Sequence, residues 1–175
     1  MKQIVPQLLT AEGFAPYGDV IAGSQAARAR VINQGATTRF DDLAQIDVAR
    51  DGGSPRVSLF RTAPLARPLI LRMMERHPLS SQAFVPLSPR PYLVVVAHGA
   101  AFPSGIKAFV AGPHQGINYR PGVWHHFSLA LEETSDFLVI DRKGAGENLD
   151  EVTFDDAHEV CIDEVVLAAL LEAGP

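Results

Sequence analysis

The chain is short of several features that mark large protein classes. Its 175 residues include one cysteine, Cys161, which excludes an intramolecular disulfide and suits a reducing compartment. A lone thiol of this kind is expected to be a buried structural residue. No stretch of about twenty apolar residues occurs, so no transmembrane helix and no membrane partner are expected. The opening "MKQIVPQLLTAEGF" lacks the apolar core of a signal peptide, and the expected location is cytoplasmic. No basic block or basic stripe with interleaved aromatics is present, which argues against a nucleic-acid partner. There is no internal repeat and no linker, so one domain over residues 1–175 is expected.

What is present is a globular composition, 47% hydrophobic and 20% charged, with a formal net charge of −5. A small anionic substrate is compatible with that charge, because local arginines outweigh a modest negative total. Most of the chain reads as short strands cut by Gly, Pro and Asp. Candidates are Tyr17–Ala22, Arg56–Ala63, Leu69–His77, Gln82–Pro86, Tyr92–His98, Ile106–Ala111, Val123–Leu131 and Phe137–Arg142. Closely spaced short strands predict a mainly all-β fold, a barrel or two-sheet sandwich with short terminal helices. Thr10 is placed to cap a turn through "TAEGF". The tail "CIDEVVLAALLEA" (161–173) has helical composition and reads as a C-terminal extension, reached through a loop over Lys143–Asp150.

Strand side chains alternate between faces, so parity separates inward from outward positions. In Leu69–His77 one set is Leu69, Leu71, Met73, Glu75 and His77. The other contains Arg72 and Arg76, which marks it as the solvated face. Glu75 and His77 are therefore expected to point inward, where an unpartnered carboxylate costs several kcal/mol, of order 5. In "VWHHFSLAL", His125 falls on the inward set with Val123, Phe127 and Leu129, and His126 on the outward one or toward a neighbouring subunit. In "RVSLFRTA", Arg61 shares a face with Val57 and Leu59 and is expected to seek an anion there. Lys107 shares its face with Phe109, yet is expected to be solvated. Each inward group has a structural alternative, a satisfied core histidine or an internal ion pair. Four such groups on three short strands point instead to a shared site.

The spacing Glu75-x-His77-x4-Gln82, with Pro-Gly-Val-Trp-His125 much later, resembles the two metal-binding motifs of cupins, with Glu75 and Gln82 in place of the usual first His and the Glu. Two imidazoles and a carboxylate suit one divalent first-row transition metal, with Glu75, His77 and His125 as its ligands. Read together and in order, "YGDVI", "ERHPLSSQAFVPL", "GINYRPGVWHH" and "DFLVIDR" closely resemble the bacterial ureidoglycolate lyase family, from near Tyr17 to about Arg142. The resemblance implies a cupin-type β-barrel, usually a homodimer, that converts (S)-ureidoglycolate to glyoxylate and urea late in allantoin degradation. It also implies a divalent metal such as nickel. The apolar run "YLVVV" and exposed strand edges give weak independent support to a dimer.

The inward residues supply what that cleavage needs. His77 or His125 is a base near neutral pH, and Glu75 orients its histidine partner or takes the proton itself. Arg61 and then Arg142 are the candidates for holding the substrate carboxylate, since a guanidinium pairs with it bidentately. Gln82, Asn33 and Tyr119 are candidate contacts to the rest of the substrate, with turn and core roles as alternatives for the last two. Two other readings stay open: a different metal-dependent cupin enzyme acting on a small hydroxy acid, and a non-catalytic small-molecule-binding cupin.

Overall fold

The run "YLVVVA" forms the strand on which both hydrophobic cores are built. A computed structural model describes residues 2–26, 28–100, 103–155 and 158–175. With strands numbered in chain order, the main sheet runs β16 (Asp150–Thr153), β8 (Met73–Arg76), β13 (Trp124–His125), β10 (Tyr92–His98), β11 (Ser104–Ala111) and β2 (Gln7–Leu8). A further short strand, β14 (Leu129–Ala130), also pairs with β10. Strand β10 is buried on both faces, because Tyr92, Val94 and Val96 enter one core and Leu93, Val95 and Ala97 the other. A strand covered twice has no polar face to show in its sequence. The run proposed as a subunit contact is therefore consumed inside the chain.

The first core lies between the main sheet and a second sheet, ordered β3 (Gly18–Ile21), β12 (Gly116–Tyr119), β9 (Gln82–Pro86), β15 (Ser135–Lys143) and β6 (Ser54–Thr62). Phe84, Ile117, Tyr119, Phe137 and Val139 from this sheet meet Val94, Val96 and Phe109 from the other. The expected β sandwich is present. Its two sheets face each other as separate hydrogen-bonded sheets and do not close into one continuous barrel. A four-residue helix, α1 (Ala11–Phe14), links the sheets; Thr10 caps it by accepting a hydrogen bond from the Gly13 N–H.

The second core lies behind the main sheet. It is closed by the sheet β1 (Lys2–Ile4), β17 (Val160–Ile162) and β7 (Ile70–Leu71), and by helix α2 (Glu164–Ala173). The tail expected to be helical from Cys161 thus begins as a strand pairing with β1 and β7, with Cys161 half-buried in it. Helicity starts after Asp163, whose carboxylate accepts from the Val165 and Val166 N–H groups as an N-cap. Glu164 reaches back to the Leu69 N–H and to Arg67, so α2 is fastened to the body at its first turn. The last pair of strands, β4 (Arg28–Ile32) and β5 (Thr37–Asp41), forms a separate hairpin.

Two expected long strands are broken, and both breaks reverse the parity. Between β7 and β8 the chain passes from one sheet to another. Leu69, Leu71 and Met74 all enter the second core, while Glu75 lies on the opposite face from Met74. Between β13 and β14, which both pair with β10, the parity reverses without a change of sheet: Trp124 and Leu129 share the second core. The Trp124 ring lies under the Arg76 guanidinium, 4.5 Å away, and donates its N–H to the Gly99 carbonyl. The packing of α2 has a direct consequence. Leu167 is 1% exposed and Val165 is 81% exposed, so Leu167→Ala is expected to cost about 2–5 kcal/mol. Val165→Ala is expected to cost less than about 0.5 kcal/mol. Equal denaturant midpoints for the two variants would show that α2 does not seal this core.

Candidate functional site

The site forms where β8 ends beside β13, on the face turned toward the second sheet. Glu75 and His125 are directly opposed across these two strands, and the His125 Nε2 lies 3.5 Å from Oε1 of Glu75. His77 follows β8 and is held from both sides. Its carbonyl accepts the Gly122 N–H, and its Nδ1 lies 2.7 Å from the Asn148 carbonyl. The Asn148 side chain also accepts the Leu79 N–H and donates to Ser80. The segment before β16 is therefore a clamp on residues 77–80 as well as a connection. Its sequence signal was one asparagine in a polar loop, too common a feature to single out.

The hydrogen-bond partners fix the Nδ1 of both rings as donors and leave one ring nitrogen bare. A carbonyl oxygen can only accept, so Nδ1 of His77 donates to Asn148, and Nδ1 of His125 donates to the Val123 carbonyl at 3.0 Å. A neutral His77 imidazole then carries its lone pair on Nε2. Nε2 of His77 is buried and has no hydrogen-bond partner. Nε2 of His125 lies 3.2 Å from Oε1 of Gln82. One donor atom from each of Glu75, His77 and His125 lies within 4.8 Å of the other two. Electron-pair donors gathered this closely need a positive charge among them, either a proton or a metal ion, and the set is of a kind that binds first-row transition metals.

Burial raises the Glu75 carboxyl, but the hydrogen bond from His125 and the neighbouring imidazoles outweigh it and hold Glu75 below the usual carboxylate range. Burial, then the charge of His125, pushes His77 below the usual imidazole value, against the opposing pull of the Asn148 carbonyl, Glu75 and Gln82. Near neutral pH the site therefore contains a carboxylate and a neutral His77. Tyr119, on β12 opposite Gln82, stacks on His125 with centroids 4.1 Å apart and planes 13° apart. Burial foremost keeps its hydroxyl protonated.

The sequence profile of the family described as ureidoglycolate lyase matches residues 1–161. The chain belongs to the ureidoglycolate lyase family. Similar relatives carrying that name include one from Burkholderia mallei, 55% identical over 152 residues that cover 86% of this chain and 89% of the relative. One from Burkholderia cepacia is 53% identical, covering 82% of each chain. One from Brucella melitensis biotype 2 is 50% identical, covering 89% of this chain and 92% of the relative. Among solved structures, a dTDP sugar isomerase from Desulfovibrio desulfuricans G20 is similar with a TM-score of 0.46 at 15% identity, covering 74% of this chain and 82% of that one.

In this family member, then, the structure brings together Glu75, His77, Gln82, Tyr119 and His125, and places three other expected residues elsewhere. Arg61 lies on the outer face of β6, exposed and paired bidentately with Asp136 directly across from it. Val57 and Leu59, which share the face of Arg61, are themselves 65% and 56% exposed, so apolar residues mark the outer face of this strand; Phe60 carries the inward face and packs on Phe84. Arg142 is buried and donates to the carbonyls of Arg50 and Asp51, so it staples a loop. Asn33 is exposed at the turn of the β4–β5 hairpin, with φ of 52° and its amide donating to Thr37.

His126, expected to point outward, is 3% exposed, its ring against Phe127 and its Nδ1 donating to the Phe127 carbonyl. Burial foremost pushes its pKa down to about 4. The folded chain thus keeps His126 neutral while the unfolded chain protonates near 6.5, which favours unfolding as the pH falls between these values. Its contribution is intact above about pH 6.5, and about 3 kcal/mol is lost by pH 4. His126→Gln is expected to flatten this part of a stability–pH profile measured by urea denaturation. A slope unchanged from the parent would show that His126 is not the group responsible.

Proposed function

We propose that the chain is a ureidoglycolate lyase that cleaves (S)-ureidoglycolate into glyoxylate and urea. The observation that carries this reading is the bare, buried Nε2 of a neutral His77 beside Glu75 and His125, in a member of this family. The reaction removes the hydroxyl proton, forms the carbonyl of glyoxylate and breaks the C–N bond, with the electron pair leaving on the urea nitrogen. His77 is suited to take the hydroxyl proton, having no other partner for its lone pair. The hydroxyl and the leaving nitrogen sit on one carbon, so the same imidazole can return that proton to the departing urea. Glu75 stabilises the imidazolium while it exists, and Tyr119 restrains the plane of His125.

The same donors support a second reading of the site. Glu75, His77 and His125 would hold one divalent transition metal such as nickel, which would supply Lewis acidity at the substrate's oxygen atoms. The orphaned Nε2, the two carbonyl-fixed Nδ1–H groups and the carboxylate fit such an ion.

The setting proposed with this activity is cytoplasmic and late in allantoin degradation. In its support, no helix among the described residues is long and apolar enough to cross a membrane, and the chain has a single cysteine. A homodimer is part of the same reading. It is supported by the outer face of the second sheet, where Val57 and Leu59 lie exposed beside half-buried Ile140, Leu138 and Val85 in register. Leu59→Glu is expected to halve the mass measured by light scattering; an unchanged mass would move the interface elsewhere.

The deciding experiment follows urea and glyoxylate release from (S)-ureidoglycolate before and after chelation, with His77→Ala as comparison. Release that survives chelation and falls about 10²–10⁴-fold in His77→Ala supports proton transfer by His77. Loss on chelation, restored by one divalent metal, assigns the three residues as ligands. Absence of release from the untreated and the metal-supplemented protein overturns the lyase reading.

A further inference from the structure

With Arg61 and Arg142 elsewhere, the substrate's carboxylate needs another cation, because Glu75 already makes the site negative. Arg56 alternates with Phe60 on the inward face of β6, but its guanidinium is tied bidentately to Asp141. Lys107 is differently placed. In the main sheet, Val96 of β10 pairs with His125 on one side and with Lys107 on the other. Residues paired in this way share a face, so Lys107 and His125 project from the same side of the sheet in one row. The two backbones are about 10 Å apart, two strand spacings. Alternation along β11 agrees: Phe109 and Ala111 lie in the first core, while Ala108 and Val110 lie in the second. Lys107 is exposed and pairs with no carboxylate among the described residues.

A second observation falls at the same place. Tyr17 stacks on His98 with centroids 4.6 Å apart and meets Phe109 edge-on at 6.3 Å. His98 follows Val96 on β10, across a register shift, and Phe109 follows Lys107 on β11, so Tyr17 covers the face between these two strands near Lys107. Its hydroxyl is buried and has no hydrogen-bond partner. Such an orphaned donor is unfavourable unless something binds it. The next residue, Gly18, pairs with Tyr119, the ring stacked on His125. An unpaired ammonium and an unpaired hydroxyl thus flank one patch of the inward face, one strand beyond His125.

We propose that Lys107 and the Tyr17 hydroxyl form the carboxylate subsite, holding the carboxylate of the substrate and then of glyoxylate while the hydroxyl-bearing carbon faces His77. This assignment rests on the lyase reading and gives the site its preference for an α-hydroxy acid over the uncharged amide. Lys107 and Tyr17 are binding and orienting groups, and proton transfer remains with the residues around Glu75.

The test compares the parent with Lys107→Met, Lys107→Arg and Tyr17→Phe. Lys107→Met is expected to raise KM for ureidoglycolate and Kd for glyoxylate, by calorimetry, about 10- to 100-fold, the range for a hydrogen bond to a charged group. Its kcat should change far less. Lys107→Arg restores most of the affinity, and Tyr17→Phe gives a smaller loss of the same kind. The parent prefers glyoxylate to glyoxylamide, and Lys107→Met loses that preference. An active parent whose KM, glyoxylate affinity and acid-over-amide preference all survive in Lys107→Met overturns the subsite and leaves the lyase reading standing. A parent that releases no urea overturns the lyase reading. Glyoxylate affinity then still decides the subsite: a drop in Lys107→Met supports it, and no binding or equal binding by both proteins overturns it.

Discussion

Two backbone carbonyls set the chemistry of this site, because they determine where each imidazole keeps its proton. Histidine can donate from either ring nitrogen, and the choice passes to whatever the other nitrogen meets. Here the Asn148 and Val123 carbonyls occupy the two Nδ1 positions. The bare Nε2 of His77 and the Nε2 of His125, which faces Gln82 and Glu75, are left on the side of the carboxylate. Moving the His77 proton to Nε2 would bury an N–H without a partner and abandon the Asn148 carbonyl. The functional geometry therefore depends on main-chain positions, which the sheet and the 77–80 clamp fix more firmly than another side chain could.

The second constraint is that the main sheet is covered on both sides. The core behind it holds β8 and β13 in place from their far faces through Met74 and Trp124, leaving their near faces for Glu75 and His125. Polar groups that are expensive to bury thus stand on a largely apolar support, with the Arg76 guanidinium stacked on Trp124 behind it. The second sheet supplies the opposite wall, with Gln82 and Tyr119 brought to the triad by their own cross-strand pairing. Each wall is held by its own strand pairing and apolar packing.

Much of this arrangement was legible in the sequence, and the failures share a cause. Glu75, His77 and His125 were placed together by alternation combined with motif order, and Gln82–Pro86 and Tyr92–His98 were read with their observed bounds. Alternation holds only within an unbroken strand, however. It misassigned Leu69 and Leu71 to the face of Glu75 because the chain changes sheets at Arg72, and it placed His126 outside because β13 stops after His125. For Arg61 it was applied to a strand whose outer face is apolar, so hydrophobicity pointed the wrong way. The strands at residues 2–8 and 160–162 carry two or three residues each, too few for any period to show. Asn148 acts through its position in three dimensions, and nothing in its local sequence marks it.

The place of Trp124 has a consequence of a different kind. The chain has a single tryptophan, and β13 carries that indole on the back of the peptide unit whose next residue is His125. Its ring is pinned between the Arg76 guanidinium and the Gly99 carbonyl, so it is a fixed fluorophore with a charged neighbour. Any shift of β13 that carries His125 must also move the indole relative to that charge. The protein thus contains an optical gauge one residue from the Glu75–His125 pair, reading the back of the sheet whose front carries these two side chains.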